Sequence, residues 1–374
     1  MLRLLKMRST FVLLTCFLLI FVFTGNALAQ ECPEDTGVGV TDFYSDIESG
    51  DLTVYSATGM EGMEVELSLE HEGDMLDEKT LNIRRVAPGS NTVKVFEWDT
   101  DSKDDGRYTV EVRIMKDDCL LYTNSYSFVH GRQVIPRVKI DDLIANSEGF
   151  SLMITPVQPV LVDATYMLVD GSDVIYMDEQ ERIALNTMPL ELSEQWNTLL
   201  TNGKEYKGRV KIRMYTPPDT IATMQEFTAK DDVFISDTYQ DEIGASATID
   251  GRSQVPFKGA VRFTVLNDDD GEDIVETVIQ NSPILLSGDD ETVEAIWEER
   301  LPEGIYKLII EVIGNDGDIL DVRETIIEAE APRNVTNTTN ETESPTNQSP
   351  GFMGIHSIIV LVAAIFLIRL KKKW

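Results

Sequence analysis

At 374 residues the chain is too long for one small domain and suits two to four, with 42% hydrophobic residues to fill their cores. The formal charge is −33, and seven basic residues lie in the two ends, which hold no Asp or Glu, so the body between them is near −40. Such a surface repels phosphate and excludes nucleic-acid binding; its plain reading is solubility in a salty exterior, and its sharper one is binding of divalent cations or basic partners.

Residues 1–29 read as a secretory signal peptide. Arg3, Lys6 and Arg8 form a basic start, Phe11 to Phe23 an apolar middle, and Ala27-Leu28-Ala29 a small-residue cleavage site. A lipid-modified Cys32 is ruled out because Glu31 stands where a small residue is needed. Cys32 and Cys119 are then the only cysteines of the exported chain, and two cysteines in an oxidising compartment are expected to form a disulfide.

The body divides into three blocks: 30–132, 133–231 and 232–331. In the first, Val40-Thr-Asp-Phe-Tyr44 opens the module, Met63 to Leu69 alternates as a strand, and Pro88-Gly89 and Asp104 to Gly106 signal turns. The second is opened by Val138 to Asp142, with strands at Ser151 to Thr155 and Ala164 to Val169 and a proline turn at Tyr215 to Asp219. The third is opened by Phe234 to Asp237, with a strand at Gly259 to Leu266 and a hairpin turn at Asn315-Asp-Gly317.

The blocks share landmarks. Trp98, Trp196 and Trp297 step by 98 and 101 residues, and Tyr108, Tyr206 and Tyr306 by 98 and 100. Gly106, Gly203 and Gly304 precede the tyrosines, and Asp42, Asp142 and Asp237 lie 56, 54 and 60 residues before their Trp. A recurrence at that interval means one module used three times. After each Tyr, apolar residues take every second position, as in Val110, Val112 and Ile114, which places them on one face of a strand.

Asp104-Asp-Gly106-Arg-Tyr108 resembles the tyrosine corner of immunoglobulin-like sandwiches. The second Cys of an antibody domain is replaced by Val110, Gly208 and Leu308, so the likeness is to the broad Ig-like and fibronectin-like class. It implies an all-β chain of three tandem Ig-like sandwiches, with the Trp and Tyr of each module as core packing. Short linkers such as Ala229 to Asp232 predict a semi-rigid rod.

Residues 332–349 lack the apolar side chains needed to fold and read as a Thr/Asn-rich stalk carrying all four sequons of the chain, at Asn334, Asn337, Asn340 and Asn347, the expected glycosylation sites. Residues 350–374 follow: Pro350-Gly351-Phe352, an apolar helix at 353–368, and a basic end. Sixteen residues span only about 24 Å against a hydrocarbon core of about 30 Å. Basic residues beyond the helix put the tail in the cytoplasm and the body outside. This arrangement resembles the PGF-CTERM sorting signal of archaeal surface proteins. The resemblance implies an archaeosortase-type processing enzyme as a partner, removal of the helix and a lipid anchor in its place.

No catalytic centre is legible. His71 and His130, the only histidines of the body, read as loop residues without a neighbouring Cys or second His, so zinc and Ser-His chemistry have no visible ligands. The acidic stretches Asp99 to Gly106 and Asn267 to Asp273 offer oxygen ligands for calcium without EF-hand spacing, and read first as solvated turns. No cofactor is expected. The sequence reading is thus a non-catalytic structural or adhesion protein, glycosylated, S-layer-associated and anchored on the outer face of an archaeal membrane, with envelope glycans or other surface proteins as partners. The alternative is a surface carbohydrate- or calcium-binding module, with Tyr166, Tyr176, Tyr215 and Phe227 as candidate aromatics.

Overall fold

A computed structural model describes residues 37–100, 104–131, 136–267 and 273–331. The described chain is all-β, and it repeats one seven-strand pattern three times. Module 1 comprises β1 (Val38–Ser45), β2 (Ser49–Ser56), β3 (Met60–His71), β4 (Asp74–Val86), β5 (Ser90–Glu97), β6 (Gly106–Lys116) and β7 (Cys119–His130). Module 2 comprises β8 (Val138–Ala145), β9 (Gly149–Pro156), β10 (Val160–Asp170), β11 (Asp173–Leu185), β12 (Leu190–Gln195), β13 (Glu205–Tyr215) and β14 (Pro218–Thr228). Module 3 comprises β15 (Val233–Gln240), β16 (Gly244–Gly251), β17 (Ala260–Asn267), β18 (Ile274–Asn281), β19 (Asp290–Ile296), β20 (Gly304–Ile313) and β21 (Ile319–Ala329).

In each module the first, second and fifth strands form one layer, and the fourth, third, sixth and seventh form the other, all antiparallel. The inward positions of both layers close around a separate hydrophobic core. On β6, Val110, Val112 and Ile114 are fully buried and their neighbours are not, so the period-two pattern places one face inside. Each such side chain contributes about 1.5–3 kcal/mol relative to exposure.

The three landmark tryptophans are buried, and each indole N–H is satisfied at the turn between the first two strands of its module. Trp98 donates to Ser45 Oγ at 3.0 Å, Trp196 to Asn146 O at 2.8 Å and Trp297 to Asp241 O at 3.2 Å. That turn is itself repeated. Asp46, Asn146 and Asp241 each accept, through Oδ1, the amides two and three residues on, the side-chain mimic of a backbone turn. The leading Asp42, Asp142 and Asp237 each sit just past a break in register in the first strand, a β-bulge repeated in all three modules.

The tyrosines are buried too, but the corner has two forms. Tyr108 donates to Asp104 O at 2.8 Å and Tyr306 to Pro302 O at 3.1 Å, each four residues back. Tyr206 instead accepts the Thr201 amide at 3.2 Å. The glycine explains the difference. Gly203 lies three residues before its Tyr and turns with φ +73, whereas Gly106 lies two before and is already the first residue of its strand. At Gly106 what matters is space, because a Cβ there would sit 2.5 Å from the His71 ring. Of the three landmark glycines only Gly203 takes a positive φ.

His71 and His130, expected in loops, end β3 and β7 instead. Alternating strands bring both to Tyr108, His71 stacked at 4.3 Å and His130 edge-on at 6.3 Å.

Candidate functional site

The junctions between modules hold the densest polar chemistry. The three-stranded layer of module 1 and the four-stranded layer of module 2 belong to one seven-stranded sheet, β1-β2-β5-β11-β10-β13-β14. They meet through a single residue pair, Lys94 with Asp173, and by the Val95 amide donating to Ser172 O at 3.0 Å. Beyond that corner the two layers turn their outer faces toward each other, because side chains pointing away from both cores make contact.

On β2, Leu52 and Val54 point into the core, so Ser49 and Asp51 point out. On β13, Val210, Ile212 and Met214 point in, so Arg209, Lys211 and Arg213 point out. Arg209 donates to Asp51 Oδ2 at 3.0 and 3.2 Å and to Ser49 Oγ at 2.7 Å. Lys211 donates to Asp51 Oδ1 at 2.5 Å and to Asp42 Oδ2 at 2.8 Å, and Arg213 reaches Asp42 Oδ1 at 3.1 Å. Burial pushes the Asp42 carboxyl up, but Lys211 and then Arg213 more than offset it, leaving it below the usual carboxylate range. The Arg209 guanidinium also lies over the Tyr44 ring, 5.8 Å from its centroid. Beside these ions Val95, Met167 and Val169 form a small buried apolar cluster of their own, and Lys207 pairs with Glu97 and Glu226.

The junction of modules 2 and 3 is built differently. Val255, between β16 and β17, is buried in the core of module 2. Its neighbour Gln254 donates to Ser147 O at 2.9 Å and accepts from the Leu200 amide at 3.0 Å. The linker Ala229 to Asp232 is bonded on both sides: Lys230 N to Ser147 Oγ, Ser253 Oγ to Lys230 O, and Asn315 N to Asp231 Oδ2 at 2.8 Å. Burial raises the Asp231 carboxyl, the Asn315 amide partly offsets this, and Asp318 and Asp316 add to the rise.

A cleft of about 780 Å³ opens where modules 1 and 2 meet, with Phe43, Tyr44, Tyr126, Phe128 and Ile221 in its wall. Its rings spend their faces on one another. Phe43 stacks on Tyr126 at 4.1 Å, and burial with a bond to the Tyr122 hydroxyl pushes the Tyr126 phenol up to about 12. Phe128 stacks on Tyr108 at 5.3 Å. Phe43, Tyr126 and Phe128 thus each give one face to ring packing.

Of the sequence candidates for a carbohydrate site, three pack in or against the core of module 2 and one lies apart from them. Tyr166 is fully buried and donates to Gln180 at 3.2 Å, Tyr176 and Phe227 pack against Trp196, and Tyr215 is half exposed and bonded to Asp163 at 3.0 Å. The calcium-candidate stretches lie partly outside the described residues, among which no group of three or more His, Cys, Asp or Glu is placed to hold a metal. Cys119 opens β7 after a turn in which Asp117 and Asp118 take positive φ, and it is disulfide-bonded. Cys32, the signal peptide, the stalk sequons, Pro350-Gly351-Phe352 and the helix at 353–368 lie outside the described residues. The ionic contact between modules was not foreseen. Its only trace in sequence is the run Lys207, Arg209, Lys211, Arg213, four cations on one strand face of an otherwise acidic chain.

No protein-family model and no curated protein matches the chain. Among solved structures it is similar to a tetra-tandem repeat in the extending region of a large adhesion protein, with 11% identity over 79% of this chain and 74% of that one and a TM-score of 0.24. It is also similar to a DUF4785 family protein from Legionella pneumophila, with 10% identity, 81% and 98% coverage and a TM-score of 0.28. A third is trypsin-activated alpha-2-macroglobulin from Escherichia coli, with 11% identity and a TM-score of 0.22, of which the chain spans 25% while 83% of its own length is covered. Scores this low leave no argument for function to be drawn from them.

Proposed function

We propose that the chain is a non-catalytic surface protein whose three Ig-like, fibronectin-like sandwiches form a fixed body with a structural or adhesive role. The observation that carries this reading is that both junctions are locked: one by Arg209 and Lys211 on the buried Asp51, the other by Val255 seated in the core of module 2. An enzyme that closes on a substrate needs a hinge, whereas a protein that transmits load or displays a surface at fixed geometry needs its modules held. In this reading the stalk raises the body from an archaeal membrane, carries glycans, and is joined to the cell through the Pro350-Gly351-Phe352 signal after archaeosortase processing.

The test is made on envelope fractions of an archaeal host expressing the chain. Mass spectrometry is expected to find the exported protein shortened at its C-terminal end and lipid-linked, and protease added to intact cells should reach the body. An intact Trp374 rules out the processing. Deleting residues 37–331 while keeping stalk and anchor should lower cell attachment or envelope integrity; no change in either sinks the structural and adhesive role.

A further inference from the structure

The same strand face meets a different fate in each module, and the third is unpaired. The outward residues of the sixth strand fall at matching positions after each landmark Tyr. In module 1 they include Glu111 and Arg113, charged and exposed to water. In module 2 they include Arg209 and Lys211, buried against the outer face of module 1. In module 3 the positions matching Arg209 and Arg213 hold Ile309 and Ile313.

The strands around them carry the same chemistry. Register places Ile309 beside Glu324, Lys307 beside Ile326, and Glu311 between Arg262 and Val322, with Ile279 next to Arg262. Ile279, Ile305, Val322 and Ile326 are 57%, 53%, 44% and 58% exposed. Four of the charges on this face pair within it, Arg262 with Glu311 at 2.7 Å and Lys307 with Glu324 at 2.7 Å, and Glu328 stands beside Ile305 at its end. It is therefore an apolar, locally near-neutral patch on a chain whose body is near −40. A contiguous patch of this kind marks an interaction surface.

We infer that the outer face of β17, β18, β20 and β21 is an interface for a second copy of this chain, packed sheet on sheet about a two-fold axis. Three observations select that occupant. Module 2 shows that this face of the repeat accepts the outer face of another sandwich. Replacement of Arg209 and Arg213 by isoleucine and of Lys211 by Glu311 removes the partners that the acidic face of module 1 requires, so the mate is apolar and near neutral, as a second copy of the same face is. The area suffices: four strands about 4.8 Å apart, two about 27 Å and two about 35 Å long, present roughly 600 Å² per copy, or roughly 1,200 Å² in all, the lower bound of a specific interface. The inference is independent of how the chain is anchored.

Salt gives the contact a signature. The acidic bodies repel, so screening strengthens association, the reverse of an interface held by ion pairs. The measurement is sedimentation velocity on residues 30–331, a fragment holding all 21 strands and all three cores. A monomer–dimer equilibrium that tightens with added salt is expected, and the double variant Ile309→Lys with Ile326→Lys should weaken it by about a hundredfold or more, with the near-UV circular dichroism of the wild type retained. Thr109→Lys, on the equivalent face of module 1, should leave it unchanged. A monomer at every salt and protein concentration overturns the inference. So does a dimer that the double variant leaves intact, or that Thr109→Lys weakens equally, or a monomer that floats with zwitterionic lipid vesicles.

Discussion

Arg209 of β13 and Asp51 of β2, 158 residues apart in the chain, form a 3.0 Å ion pair with 0% and 1% of their side chains exposed. Asp51 also accepts Lys211, which Asp42 holds as well, so it is Arg209 that has no other carboxylate partner among the described residues. Such a group adds little net stability over an apolar pair, but removing one member strands its partners out of water.

Asp51→Ala is therefore expected to cost about 3–5 kcal/mol, far more than the lost contact area implies. Combining Asp51→Leu with Arg209→Met and Lys211→Met should recover most of that loss, because no buried charge is then left unpaired. Urea unfolding of the variants measures it. If the single and the combined variants are equally destabilised, the ions are not what holds the two layers.

Asp42 gives the same contact an acid limit. Its folded pKa lies below the ordinary value of 3.8, so the stabilisation it provides is present above that value and is lost as pH falls through the folded one. Its side chain is 37% exposed, and solvent screening keeps the effect small, under about 1 kcal/mol. Asp42→Asn should flatten the acid limb of a stability-versus-pH curve, and added salt should shrink the difference between the two proteins.

Much of each sandwich was legible in the sequence because one layer-facing side chain in two must be apolar. The runs after Tyr108, Tyr206 and Tyr306 carry that alternation, and their inward residues are buried, joined on β13 by the outward Arg209 and Lys211. Asp42, Asp142 and Asp237 were visible as landmarks, but their meaning, a bulge in the first strand, depends on a register that only the paired strand defines. The histidines were misplaced because a polar residue at a strand end looks like a loop when the ring it packs on is distant in sequence, as Tyr108 is from His71. Short linkers predict a semi-rigid rod but not which faces meet at the junction of modules 1 and 2: a linker fixes how far apart two modules are, and the meeting faces are decided by outward side chains such as Arg209 and Asp51.

At the other junction the sign reverses. The Asp231 carboxyl is raised by burial and, further, by Asp318 and Asp316, so its charged form opposes folding above the folded pKa, and this penalty is relieved as pH falls through it. Asp231→Asn keeps an oxygen to accept the Asn315 amide and removes the charge. The variant is expected to be at least as stable as the parent near neutral pH, with the difference vanishing in mild acid. Thermal unfolding across that range measures it, and a variant that is less stable at neutral pH would show that the carboxylate's charge supports the junction.

The repeated Asx turn yields a comparison inside one molecule. Asp241 accepts the Ile243 and Gly244 amides at 2.8 and 3.0 Å and the Tyr239 hydroxyl at 3.1 Å, while its carbonyl takes the Trp297 indole. Asp241→Ala orphans two amides and should cost about 1–2 kcal/mol. Asp241→Asn should cost much less, because Asn146 already holds the matching turn of module 2 with an amide oxygen. Hydrogen exchange at the Ile243 and Gly244 amides reads the local effect: fast in the alanine variant, near parental in the asparagine variant. Equal exchange in both would mean that the carboxylate charge, and not the acceptor oxygen, sets the turn that anchors the tryptophan.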